Sequence, residues 1–395
     1  MGEKKKILFV NSSFTYGGIQ TALKNLLNSL DYEKYDVDVL VFSDSGIDRA
    51  DLSDNVRVLY GEKLVKTLER SVGDLLREKK YMQAAFALAA RAWTKAFGNT
   101  IPVNLALLSQ KKLKGYDCAI AYRHERNAKR YTGGYCRFII HRVQAKKKIG
   151  WIHGDYSTLG FTSKHFEKIY NKLDYVVAVS NGCAESFKKA LPNVNTPVTY
   201  IYNCNNYDKI KEMADQNPVI YDENQINVVT VARLSQEKGL ERAIYAIDAC
   251  VKEGINVHYH LIGGGTLNQK LLSTVNECGL SDHVTLYGPQ ENPYRYLKNA
   301  DLFLLTSFHE AAPMVFNEAK ALGVPILSTE TISAYEMILK CNAGWVCENS
   351  ESGIKEAIIK TLQNKNEINE KKEKLREQHF GNEESIQMFD EVLNK

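Results

Sequence analysis

Short, wholly apolar runs alternate along this chain with longer stretches in which apolar residues return every three or four positions. In the first half, KKILFVN (Lys5 to Asn11) predicts a strand, and GGIQTALKNLLNSL (Gly17 to Leu30) predicts a helix. YDVDVLVF, CAIAY, KKIGWIH, YVVAVS and VTYIYN predict further strands. The second half has a cleaner rhythm. INVVTVARL, NVHYHLIG, VTLYG, DLFLLTS and VPILST predict strands, with helices at GLERAIYAIDACVKEG, at LNQKLLSTVNECG and from Pro313. A charged helix, NEINEKKEKLREQ, and a last one, EESIQMFDEVL, follow. Strands alternating with helices at this spacing predict βαβ units and parallel sheets. Two such series predict an α/β protein of two doubly wound, Rossmann-like domains facing across a cleft. The polar stretch from Asn203 to Asp222 marks the boundary, giving domains at 1–203 and 204–380. A final helix at about 381–395 is free to pack back on the first domain. Ligands of open α/β sheets bind beyond the carboxyl ends of the strands, so the chemistry is expected on strand-to-helix loops.

Length agrees with two domains, since 395 residues exceed one comfortable core. The start, MGEKKKILFV, has a basic head without the long apolar core of a secretory signal. No window approaches the roughly 20 apolar residues of a membrane span. The eight cysteines are scattered without a Cys-x-x-Cys pair, which suits thiols in a reducing cytosol better than disulfides or zinc. Charge changes the picture more. The net charge is +4, but residues 63–148 hold 20 Lys and Arg against 5 Asp and Glu. A field of that sign implies an anionic partner.

Several loops carry candidate chemistry. Gly17 and Gly18 open a helix directly after the first strand, where glycine lets backbone approach a phosphate or simply makes a tight turn. They do not form the dinucleotide fingerprint, which disfavours an NAD-dependent oxidoreductase. In VVTVARLSQEKGLERA, Arg233 ends a strand and Lys238 lies in the loop before a helix. Together they are either an anion clamp or two solvated cations. His153 ends KKIGWIHGDY, as a hydroxyl-orienting imidazole or a structural one. Gly263 to Gly265 and Gly288 sit at strand ends, as nucleotide contacts or turns. In SFHEAAPMVFNEAKALGVPIL, Glu310 falls at a strand tip and Pro313 starts a helix. The free backbone N–H groups at Met314 and Val315 would suit a diphosphate. A sugar would then lie near Glu310, and a ribose near Glu318 inside the helix; the alternative is that both are surface carboxylates. Asp36 and Asp38 imitate a metal-binding Asp-x-Asp, but at the start of a strand they are expected to be ordinary polar positions on one face, and no metal site is assigned.

The stretches RLSQEKG, NPYRYLKNADLFLLTSFHEAAPMVFNEAKALGVPI and KKKIGWIHGDY together resemble family 4 glycosyltransferases of the GT-B fold, most of all bacterial capsule and exopolysaccharide enzymes. The resemblance covers nearly the whole chain. It implies a retaining, metal-independent transferase that needs no cofactor and takes a nucleotide-diphosphate sugar, UDP being the commonest. It implies Arg233 and Lys238 on the diphosphate, with Gly18 near it. Glu310 falls on the donor sugar, Glu318 on the ribose and His153 near the transferred sugar. Family members usually carry Gly after the first Glu, where this chain has Ala311, which puts the identity of the sugar in doubt. Rival readings are a nucleotide-sugar epimerase or hydrolase, and a non-catalytic nucleotide-sugar-binding protein.

The basic half supplies a further expectation. Met82, Phe86, Trp93 and Phe97 fall on one helical face at about 100° per residue, with Arg91 and Lys95 opposite. Lys111, Lys112, Lys114 and Lys146 to Lys148 follow. A cytoplasmic protein held peripherally on the anionic inner face of the plasma membrane, through Arg91, Lys95, Lys111 and Lys112, fits this pattern and the lipid-linked glycan acceptor that the resemblance implies. The alternative is that Phe86 and Trp93 are core and the lysines a solvated face. Nucleic acid is not an expected partner, and no oligomeric state is assigned.

Overall fold

The computed structural model describes residues 3–15, 17–44, 52–125, 127–159 and 164–395. It divides into two units, Met1–Cys204 with Asn382–Lys395, and Asn205–Gly381. The first holds a seven-stranded parallel sheet built from β1 (Lys5–Asn11), β2 (Tyr35–Val41), β3 (Val56–Tyr60), β4 (Leu113–Ala121), β5 (Val143–Ile152), β6 (Tyr175–Ala178) and β7 (Val198–Tyr200). Their order is β3-β2-β1-β4-β5-β6-β7. The second unit holds β8 (Ile226–Val231), β9 (Val257–Ile262), β10 (Val284–Gly288), β11 (Leu302–Leu305), β12 (Ile326–Thr329) and β13 (Gly344–Cys347), ordered β10-β9-β8-β11-β12-β13 and again parallel. Both are therefore doubly wound α/β sheets. The strand order reverses between β1 and β4 in one and between β8 and β11 in the other, and ligands bind at such switch points.

The sequence explains the layers. INVV of β8 and LFLL of β11 are buried throughout, as central parallel strands covered on both faces must be. Helix Leu240–Lys252 buries Leu240, Ala243, Ile244, Ile247 and Cys250 against that sheet, the spacing of one helical face. It ends at Gly254, whose φ of +77° permits the reversal to Ile255. Replacing Leu304, at 1% exposure in the same core, with Ala should cost about 2–5 kcal/mol.

The strands expected from the sequence are present. β3 and β13 were not foreseen: each is short, and VRVLY and GWVC lack a long apolar run. The last helix, Glu383–Asn394, belongs to the first unit. Phe389 stacks on Phe9 with ring centroids 6.1 Å apart, and the Tyr35 hydroxyl donates to Asp390 at 2.7 Å. The Lys147 ammonium donates to the carbonyls of Val392 and Leu393, where a helix C-terminus favours a cation.

The pair Asp36 and Asp38 divides. Asp36 is exposed, but Asp38 is 1% exposed and is not an ordinary polar position. Its two oxygens accept from Arg57 Nε at 2.7 Å and Nη2 at 2.5 Å, and from the Tyr116 hydroxyl at 2.6 Å. Arg57 lies directly across from it on β3, so cross-strand pairing recruits the carboxylate as a structural anchor.

Candidate active site

Two loops of the second unit meet at its switch point. One follows β8 and carries Arg233 and Lys238. The other follows β11 and carries Ser307 to Ala312. Gly239 makes the meeting feasible. Its φ is +60°, and a Cβ there would lie 2.3 Å from the Thr306 carbonyl oxygen, so only glycine allows this approach. The Thr306 hydroxyl donates back to the Gly239 carbonyl at 2.9 Å, and the Phe308 amide donates to the Glu237 carbonyl at 2.9 Å.

Glu310 is the centre of this arrangement. Its Oε1 accepts from the Lys238 ammonium and from the Ser307 hydroxyl, each at 2.6 Å. The side chains of Lys238 and Glu310 are 17% and 10% exposed, so the pair is poorly screened. Arg233 differs. Its side chain is 79% exposed and pairs with Glu237 at 3.3 Å, an interaction worth little at a surface. The two expected clamp residues are therefore on the same loop, but each is held by a different carboxylate.

Helix Met314–Ala321 begins after Pro313, whose ψ of 123° is extended. Met314 and Val315 occupy its first turn, where backbone N–H groups have no helical acceptor. Ala311 is not among the residues of positive φ, so its methyl adds bulk without strain. Glu318 lies on the second turn and keeps some surface, yet burial of its carboxyl pushes it up to about 7, against the opposing hydrogen bond of the Tyr294 hydroxyl. It is thus poised to change protonation near neutral pH.

Gly263 and Gly265 have a structural reason to be glycine. A Cβ on Gly263 would lie 1.8 Å from the Ala232 carbonyl oxygen, and one on Gly265 would lie 2.3 Å from that of Leu234. The space above them belongs to the neighbouring loop's backbone. Gly288 differs: at φ +69° it has open space around its Cα.

The remaining candidates lie in the first unit. Gly17, at φ +153°, caps helix α1 (Gly18–Ser29) immediately beyond β1, and Gly18 has open space beside it. His153 follows β5, its ring 4.7 Å from that of Tyr122. Burial pushes its imidazole well below the usual histidine range, aided by His124 and Arg123, so it is neutral at pH 7. Its Nε2 is buried without a hydrogen-bond partner in the protein.

Sequence reasoning missed three supporting residues. Ser307 holds Glu310, as described. Arg242, on helix Leu240–Lys252, donates from Nη2 to the Thr306 carbonyl and from Nη1 to Asn349 Oδ1 at 2.9 Å. Its guanidinium also lies 3.8 Å from the Phe308 ring centroid. Asn349 in turn donates to the carbonyls of Phe308 at 3.1 Å and Glu330 at 3.2 Å. The pair braces the backbone that carries Glu310. One signal was visible: in LERAIYAI, Arg242 adjoins the apolar face. Arg242→Lys cannot reproduce the planar fork. It is expected to lower the melting temperature by several degrees, since a hydrogen bond to a charged group is worth about 1.5–3 kcal/mol. Unchanged melting and unchanged activity would show that the brace holds nothing.

Residues 212–380 match the family described as glycosyl transferases group 1. The amylovoran biosynthesis glycosyltransferase AmsK of Erwinia amylovora is 34% identical over 35% of this chain and 36% of its own length. The putative colanic acid biosynthesis glycosyltransferase WcaL of Escherichia coli is 29% identical over 34% and 35%. The chain thus spans about a third of the length of these curated relatives. Across the whole fold, HepE of Anabaena, solved in complex with UDP, aligns with a TM-score of 0.66 at 19% identity, covering 98% of this chain and 99% of that one. TarM of S. aureus aligns at 0.71 with 13% identity, covering 99% of each. The chain is similar to GT-B glycosyltransferases of capsule and exopolysaccharide biosynthesis. The matched family segment contains Arg233, Lys238, Glu310 and Glu318, so the sequence likeness rests on the unit that holds this cluster.

Proposed function

We propose that the protein is a retaining, metal-independent glycosyltransferase of surface polysaccharide assembly. It moves a hexose from a nucleotide-diphosphate sugar, with UDP as the nucleotide, to a glycan carried on a lipid, at the anionic inner face of the plasma membrane. The observation that carries this reading is Lys238, Ser307 and Glu310 converging at the switch point beside the first turn of helix Met314–Ala321. A diphosphate at that helix start is met by free N–H groups and draws the Lys238 ammonium. That releases the Glu310 carboxylate for the sugar hydroxyls. Developing charge on the leaving diphosphate is stabilised by fixed donors, the arrangement that lowers such barriers most. The acceptor hydroxyl attacks on the face the diphosphate leaves, with a phosphate oxygen as its base. His153, neutral and with Nε2 unpartnered, suits a sugar hydroxyl.

The test is incubation with a panel of UDP-hexoses, with and without lipid-linked acceptor. Acceptor-dependent transfer with retained anomeric configuration, surviving a chelator, is the expected result. Donor breakdown or epimerisation without acceptor would instead favour a hydrolase or epimerase.

Glu318 gives a pH prediction. Ribose hydroxyls donate to the ionised carboxyl, so bound donor lowers a value that starts at about 7. Affinity for a UDP-sugar should therefore fall as pH drops below 7, about tenfold per unit until the bound-state value is reached, and be flat above it. The doubly esterified diphosphate has no proton to gain there. Calorimetry in two buffers should show up to one proton released on binding at pH 6.5. Glu318→Gln should abolish both effects, and a slope that persists in this variant would assign the titration elsewhere.

A further inference from the structure

Of the fifteen large hydrophobic residues exposed among those described, nine lie between Leu76 and Leu108. They belong to helices between β3 and β4: α2 (Val72–Arg77), α3 (Tyr81–Phe97) and α4 (Thr100–Leu108). The apolar face of α3 was expected opposite Arg91 and Lys95, and Met82, Trp93 and Phe97 do stand apart from both. α3 turns its small residues inward, burying Ala84, Ala87, Ala90 and Thr94. Arg91 goes with them, donating to the Arg70 carbonyl at 2.8 Å, and is not a membrane-facing cation. Met82, Trp93 and Phe97 stand outward at 89%, 43% and 74% exposure, and Ala85, Ala89, Ala96 and the half-buried Phe86 lie between them on that face. No charge interrupts it. α4 repeats the arrangement, exposing Ile101, Leu105 and Leu108 at 55%, 51% and 59% while Val103, Ala106 and Leu107 are buried. Contiguous apolar surface of this kind marks an interaction site.

Charge selects the partner. From Leu76 to Lys114 there are eight Lys and Arg and one acidic residue, Glu78. Lys95, Lys111 and Lys112 are exposed. Lys146 to Lys148 do not join them: Lys146 pairs with Asp117 at 2.7 Å, while Lys147 and Lys148 donate to backbone carbonyls. Two copies of this surface would bring like charges together, whereas an anionic bilayer offers both apolar chains and opposite charge.

We infer that α3 and α4 form a two-helix element that lies in the headgroup region of an anionic bilayer. Met82, Trp93, Phe97, Ile101, Leu105 and Leu108 enter the acyl boundary, and Lys95, Lys111 and Lys112 meet lipid phosphates. This rests on the peripheral-membrane part of the proposed function and names the surface responsible.

The test uses the full chain and vesicles of phosphatidylcholine alone or mixed with phosphatidylglycerol, with brominated acyl chains. Trp93 is the reporter: Trp151 is 2% exposed in the core, and Trp345, partly buried in the second unit, supplies a background that the Trp93→Phe variant measures. Quenching on the anionic vesicles alone, lost in Trp93→Phe while co-sedimentation persists, is the expected result. Met82→Ser with Phe97→Ser and Leu105→Ser should weaken vesicle binding at least tenfold. Lys95→Glu with Lys111→Glu and Lys112→Glu should do the same and remove the salt dependence. Both sets should keep the thermal shift given by UDP-sugar. Binding without Trp93 quenching would overturn this surface while leaving membrane association standing. No binding to either vesicle would overturn both. A concentration-dependent dimer that the serine variant abolishes would assign the ridge to a second copy of the chain. None of these readouts depends on sugar transfer.

Discussion

Glu310→Gln is expected to lower turnover by about a hundred- to a thousandfold, the scale on which loss of one preorganised electrostatic contact acts. Gln has the same shape, so its amide oxygen can still accept from Ser307 at the 2.6 Å that Glu310 uses. The loop is also tied by the Thr306, Phe308 and Asn349 hydrogen bonds, which the substitution does not touch. What changes is charge. As the diphosphate departs, the sugar becomes electron-poor, and a carboxylate beside it stabilises that state more than the ground state. The loss should therefore appear in kcat, with the KM for donor changed only a few-fold. Melting temperature checks that the fold survives. A kcat within twofold of the parent would remove Glu310 from the chemistry.

Much of this site was readable because parallel strands leave a strong signal. INVVTV is apolar apart from Asn227 and Thr230, LFLL is wholly apolar, and their ends fix where the loops begin. Once those ends were placed, Lys238 and Glu310 had to lie at the same edge of the sheet. Their direct contact was not readable, because it depends on two loops 72 residues apart and on Gly239 admitting the Thr306 carbonyl. Arg242 and Asn349 were missed for the same reason, being 107 residues apart. The errors have a different cause. Periodicity assigns residues to faces but does not say which face packs. In YMQAAFALAARAWTKAF nearly every position is apolar, so two faces compete; close packing selected the alanines and drew Arg91, expected to face outward, in beside them. Asp38 was misjudged because alternation describes one strand, while its burial is decided by Arg57 and Tyr116 on others.

Lys238→Ala should weaken binding of a nucleoside diphosphate by about ten- to a hundredfold, the equivalent of about 1.5–3 kcal/mol for a charge-assisted contact. Binding of the nucleoside alone should be nearly unchanged. Arg233→Ala acts on the same ligand from an exposed position and should cost less. The free protein adds a second consequence. Lys238 and Glu310 neutralise each other at 2.6 Å with little solvent access, so removing the lysine strands a carboxylate. Breaking such a pair costs about 3–5 kcal/mol, more than the pair itself contributes. Lys238→Ala should then melt earlier than the double variant with Glu310→Gln, in which no charge is left unpaired. Donor binding shows the opposite side of this coupling. The diphosphate takes the ammonium, and the carboxylate it leaves behind is satisfied only by the sugar's hydroxyls. UDP alone should therefore bind less tightly than a UDP-sugar, and Glu310→Gln should narrow that gap by making Lys238 available at no electrostatic cost. Equal affinity for UDP and UDP-sugar in the parent, together with additive melting shifts in the double variant, would mean that the two residues act independently.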